Sequence, residues 1–122
     1  MVPKTEFPIV FEKLKGILKP FAKKLTVKTD AAEVYYLDGP YSEKYEKELF
    51  FASAQIKKNY VSFYLMPVYM YPDLLKNISP ELKKHMQGKS CFNFKKVEPV
   101  LFDELTQLTN QGFERFIKEE YS

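Results

Sequence analysis

A helical period at each end of the chain, with a two-residue period between them, predicts an α+β fold. The expected architecture is an antiparallel β-sheet with N- and C-terminal helices packed on it. Phe7, Phe11, Leu14, Leu18, Phe21 and Leu25 recur at three- and four-residue spacing, as the buried stripe of an amphipathic helix does. Leu101, Leu105, Leu108, Phe113, Phe116 and Ile117 repeat that spacing near the other end. In the middle, residues 49–56 and 60–66 alternate on either side of Lys57-Lys58-Asn59. That pattern reads as a hairpin, because Asn tolerates the positive φ of a tight turn.

The first helix is expected from about Pro8 to Leu18, with Pro8 in the first turn, where no amide donor is needed. Pro20 removes a hydrogen bond and predicts a kink or a short second helix. Thr26-Val27-Lys28 and Glu33-Val34-Tyr35-Tyr36-Leu37 read as short strands, and Asp38-Gly39-Pro40 as a turn. The charged stretch Ser42 to Glu48 leads into the hairpin, whose second strand is expected to reach Met66. Two short helical segments follow, Tyr71 to Lys76 and Pro80 to Met86. Ser79 is placed to cap the second of these, and Gly88 to end it in a left-handed conformation. Ser90-Cys91-Phe92-Asn93-Phe94 reads as the last strand, and the closing helix runs from near Pro99 to about Glu119.

A chain of 122 residues fits one domain, expected over residues 1–122. With 45% hydrophobic and 29% charged residues the composition is that of a globular domain. Cys91 is the one cysteine, so no internal disulfide can form, which suits a reducing compartment. Met1 to Lys24 is charged and amphipathic and does not read as a signal peptide. The most apolar run, Val61 to Pro72, falls short of the roughly 20 residues a spanning helix needs. These features predict a cytoplasmic protein with no membrane partner. Residues 1–30 carry seven lysines against Glu6, Glu12 and Asp30, whereas residues 98–122 carry Arg115 and Lys118 against six acids. The two ends are electrostatic opposites, a contrast that salt screens in part.

Catalytic and metal signatures are incomplete. Gly88-Lys89-Ser90 lacks the second glycine of a phosphate-binding loop, since Lys83 stands five positions earlier, and it precedes a strand rather than a helix. His85 is the one histidine and Cys91 the one thiol, so no nucleophile–base–orienter set can be assembled, and the reading is of a non-enzyme. A zinc site wants three or four N/S ligands. Oxygen ligands for a harder ion exist on the last helix, at Asp103, Glu104, Glu114, Glu119 and Glu120, although carboxylates on a helix more often serve as solvated surface. Lys15, Lys19 and Lys23 are spaced to share a face of the first helix. Nucleic-acid binders usually show a stronger basic excess interleaved with aromatics, so nucleic acid is not an expected partner.

The candidate site is the second face of the hairpin. Val61, Phe63 and Leu65 mark one face as core. The other carries Tyr60, Ser62, Tyr64 and Met66, which Ser53, Gln55 and Phe51 join or oppose depending on register. Rings mixed with hydroxyls and an amide suit a small-ligand pocket, a protein partner or a homodimer contact. The competing reading is that these tyrosines pack under the segment from Pro67 to Met86 with their hydroxyls at the rim.

From Phe7 to Ile117 the chain resembles the YdhG-like domain family, a domain of unknown function. The likeness rests on the order of segments: Phe50-Phe51-Ala52 leading to Tyr60-Val61-Ser62-Phe63-Tyr64, then the run Leu82-Lys83-Lys84-His85-Met86-Gln87-Gly88-Lys89-Ser90-Cys91-Phe92-Asn93-Phe94, then a closing helix. It implies a frataxin-like α+β fold, and some relatives are described as intracellular iron chaperones. Frataxin-type iron binding uses an acidic ridge at the first helix. Here that helix carries Lys13, Lys15, Lys19, Lys23 and Lys24 against Glu12, so iron would fall to the acidic last helix. The sequence thus reads as a binding or interaction domain, with a frataxin-like iron-binding chaperone as the alternative.

Overall fold

Five separate segments pair into one sheet in the computed structural model, which describes residues 6–121. The first residues of the Met1–Lys24 stretch, and Ser122, lie outside them. Strands β1 (Thr26–Asp30), β2 (Val34–Ser42), β3 (Lys47–Ile56), β4 (Val61–Leu65) and β5 (Cys91–Phe94) are antiparallel neighbours in chain order. Helix α1 (Phe7–Leu18) precedes them and α4 (Pro99–Glu120) follows. Between β4 and β5 lie α2 (Met66–Met70), a 3-10 turn at Pro72–Leu75 and α3 (Pro80–Lys83). The fold is the α+β class expected.

Both long helices cover the same face of the sheet. Val10, Phe11, Leu14 and Leu18 of α1 are buried together with Ala52, Ala54, Val61, Phe63 and Leu65. Alanines at 52 and 54 leave room for α1 to approach β3 closely. At one end of the core, Phe51 meets Phe21, Phe113 and Phe116 with ring centroids 5.8, 5.7 and 5.5 Å away, the Phe113 contact edge-to-face at 86°. Such geometry adds to what ring burial alone contributes.

Several local expectations are corrected. Asp38-Gly39-Pro40 is not a turn but lies inside β2, where pairing with β3 slips between Leu37 and Asp38 and again before Tyr41. Pro40, having no N–H to donate, is tolerated at such an irregularity. Its carbonyl accepts from Tyr121 Oη at 2.8 Å, and Gly39 is buried beneath the Phe116 and Tyr121 rings. Met66 does not end a strand; with Pro67 it opens α2. Gly88 has φ 81°, but α3 ends at Lys83, so Gly88 turns the chain into β5 rather than capping a helix. Pro20 converts the end of α1 into the 3-10 turn Lys19–Phe21. Lys19 and Lys23 therefore leave the helix, and the shared lysine face is lost. Lys15 instead pairs with Asp30 at 2.8 Å.

Candidate functional site

The face of the sheet turned away from α1 and α4 is built by register. Tyr36 pairs with Ser53, Ser53 with Tyr64 and Tyr64 with Cys91, giving one row across four strands. Val34, Gln55, Ser62 and Asn93 form the next row. Because side chains alternate along a strand, these residues share one face. The slip in β2–β3 pairing sets Phe50 opposite Asp38 and leaves Phe51 without a partner. Phe51 thereby goes to the core and Phe50 to this face, where its ring lies 4.7 Å from that of Tyr36.

Ser53 and Ser62 are fully buried between their larger neighbours and hydrogen-bonded. Gln55 Nε2 donates to Ser53 Oγ at 3.1 Å, and Lys57 Nζ donates to Gln55 Oε1 at 2.7 Å. Ser62 Oγ donates to Asn93 Oδ1 at 2.6 Å, and Cys91 Sγ approaches the same oxygen at 3.2 Å. Asn93 Nδ2 donates to Gln87 Oε1 at 2.7 Å. These buried polar groups are satisfied, which makes the face a fixed platform. Tyr64 stays partly exposed, and burial raises its hydroxyl above its ordinary value.

Six residues were expected here, and they divide. Ser53, Gln55, Ser62 and Tyr64 lie together on the face. Met66 stands at its end, lining a concavity of about 440 Å³ with Tyr36, Asp38, Phe50, Tyr69 and Met70. Tyr60 lies in the turn, its carbonyl accepting from Lys57 N at 2.8 Å, and it lines a separate cavity of about 320 Å³ with His85, Asn93 and Glu98. The alternation correctly marked β4. It could not find Tyr36, Phe50 and Asp38, whose places depend on strand order and on the slip, nor Tyr69, which sits on a helix the alternation did not anticipate.

His85 and Cys91 both touch Asn93, but no hydrogen bond joins them. His85 Nδ1 donates to the Asn93 carbonyl at 2.8 Å, and its ring stacks on Phe94 at 4.5 Å. Burial pushes the Cys91 thiol up, away from the thiolate a nucleophile needs.

Three of the acids of α4 are engaged separately. Glu104 accepts from Ser79 N and Oγ, each at 2.6 Å. Glu119 faces Arg115 at 3.7 Å. Glu120 accepts from the Tyr71 hydroxyl, which burial and that carboxylate hold well above its ordinary value. Asp103 lines the groove between α1 and α4 beside Lys13, and Glu114 is exposed. Among the described residues, no three His, Cys, Asp or Glu side chains are grouped to hold a metal ion.

No protein-family model, curated protein or solved structure matches the chain at a significant level.

Proposed function

We propose that this chain is a non-enzymatic binding domain working through the open face of its sheet, on a small ligand or a protein partner. The observation that supports this most is the Tyr36–Ser53–Tyr64–Cys91 row. Rings and satisfied hydroxyls occupy a face that both long helices leave uncovered, next to a concavity of about 440 Å³. Polar groups fixed in advance and rings left accessible are what a recognition surface needs. Amide chemical shifts measured against a library of small aromatic and polar fragments test the reading. Shifts at Ser53, Gln55, Ser62 and Tyr64 are expected. If those amides stay silent and the chain also shows no concentration-dependent dimer in sedimentation, the reading fails.

The order of elements, a helix, an antiparallel hairpin, short helices, a strand and a last helix, agrees with a YdhG-like, frataxin-like domain and is part of the proposal. A cytoplasmic location agrees with the lone Cys91. Among the described residues, no helix is long and apolar enough to cross a membrane. Iron handling is the alternative, resting on the resemblance alone; among the described residues the α4 acids are not grouped to hold an ion. Anaerobic calorimetry with ferrous iron tests it: absence of saturable heat removes it.

A further inference from the structure

Three lysines far apart in sequence stand beside accessible rings at the open face. Lys57, from the β3–β4 turn, holds its ammonium 5.8 Å from the Tyr64 ring centroid. Lys89, from the turn before β5, lies 5.9 Å from the ring of Tyr69, which is 55% exposed. Lys44, from the β2–β3 turn, lies 5.1 Å from the Tyr45 ring, and Lys47 lines the same concavity. Three separate connections thus each supply a cation beside an accessible ring. Of the carboxylates on the face, Glu48 is paired with Lys28 and Asp38 is half-buried; Glu43 and Glu46 are exposed in the Lys44 turn.

The occupant follows from this chemistry. A cationic ligand would meet rings that already carry ammonium groups. Protein interfaces are depleted in lysine at their centre. A flat ligand with negative charge at intervals suits a face on which Tyr45, Tyr64 and Tyr69 each have a lysine beside them. Unpaired bases stack on aromatic side chains while phosphates meet cations, whereas the bases of a duplex already stack on one another. Accepting that the open face is a binding face, we propose that it binds single-stranded nucleic acid, the bases stacking on Tyr64, Tyr69 and the Tyr36–Phe50 pair and the phosphates held by Lys57, Lys89 and Lys44.

Fluorescence anisotropy of a labelled oligouridylate, titrated with the full chain at low and at physiological salt, tests this. Saturable binding that weakens with salt and exceeds binding to a duplex of equal length is expected. Tyr64→Ala should weaken it about ten-fold, the scale of one lost base stack; Tyr64→Leu keeps the bulk without the ring and should weaken it similarly. Lys57→Gln and Lys89→Gln should each reduce the slope of log affinity against log salt by about 0.7. Lys19→Gln, the same charge change on the helical side, should leave that slope nearly intact. The proposal is overturned by no saturable binding, by equal affinity for duplex, by uridine monophosphate binding as tightly as the strand, or by Lys19→Gln acting as strongly as Lys57→Gln. If fragments shift the face amides but the oligonucleotide does not bind, nucleic acid is excluded and the binding face stands. If both leave those amides silent and no dimer forms in sedimentation, both readings fall.

Discussion

At Gly39 the backbone of β2 runs beneath two rings, and a Cβ built there would lie 2.6 Å from Tyr121 Oη and 2.8 Å from Phe116 Cε2. Phe116 is fully buried and has little room to yield, so Gly39→Ala should cost about 1–3 kcal/mol, as overpacking does. The same substitution at Gly16 has the opposite sign. Nothing lies within 4 Å of a Cβ on that helical residue, so Gly16→Ala should stabilise by about 0.5–1 kcal/mol through helix propensity. Urea midpoints moving apart, with unchanged m-values, would show both effects. Asp38 makes a pH-dependent prediction. Burial lifts its carboxyl above the ordinary 3.8, with Lys28 opposing and Glu48 adding. The folded state therefore holds that proton more tightly than the unfolded chain does, so this group's contribution to stability is full below pH 3.8 and is lost as pH rises through the lifted value. Asp38→Asn should be more stable than the parent at neutral pH, and denaturation at pH 3 should erase the gain. A gain that persists in acid would assign the effect to something other than this carboxylate.

Short elements survive here because other elements hold them. Helix α3 spans only Pro80–Lys83, far too short to persist alone. Ser79 Oγ accepts from Leu82 N at 3.1 Å while the serine donates twice to Glu104 of α4, and Leu82 is fully buried. Ser79→Ala should cost about 1 kcal/mol, the usual value of such a cap. Because Ser79 and Glu104 act as one unit, the double variant with Glu104→Ala should cost less than the two single losses combined. Additive losses in a denaturant series would mean that the carboxylate does not support the cap. This tie also explains why Glu104, a candidate ion ligand by sequence, serves as a strut between helices. The element most easily misread was β2, because Gly-Pro after an acid usually marks a turn. A turn propensity of that kind is overridden when the neighbouring strand supplies pairing on both sides of the slip and Phe116 of α4, with Tyr121 just after the helix, lies above it.

For the whole molecule, charge and stability are separable. The ion pairs Lys15–Asp30, Arg115–Asp73 and Arg115–Glu119 lie at the surface, where each contributes little and salt screens it. Raising ionic strength should therefore leave the thermal midpoint nearly unchanged while it weakens oligonucleotide binding; a midpoint that falls as steeply as the affinity would contradict this division. Periodicity in the sequence by itself determined the α+β class, the terminal helices, the hairpin around Lys57-Lys58-Asn59 and the Ser79 cap, because each depends on residues within one or two turns of one another. It also marked Ser62 and Tyr64 as one face, since alternation along a strand is local, whereas the hairpin register decided that Ser53 and Gln55 join them. Tertiary structure alone decided that Tyr36 and Phe50 join that face, that Phe51 leaves it, and that lysines from three connections surround it. The physical reason is that strand order and slips in pairing set which residues meet across the sheet, and neither is written in the spacing of any one segment.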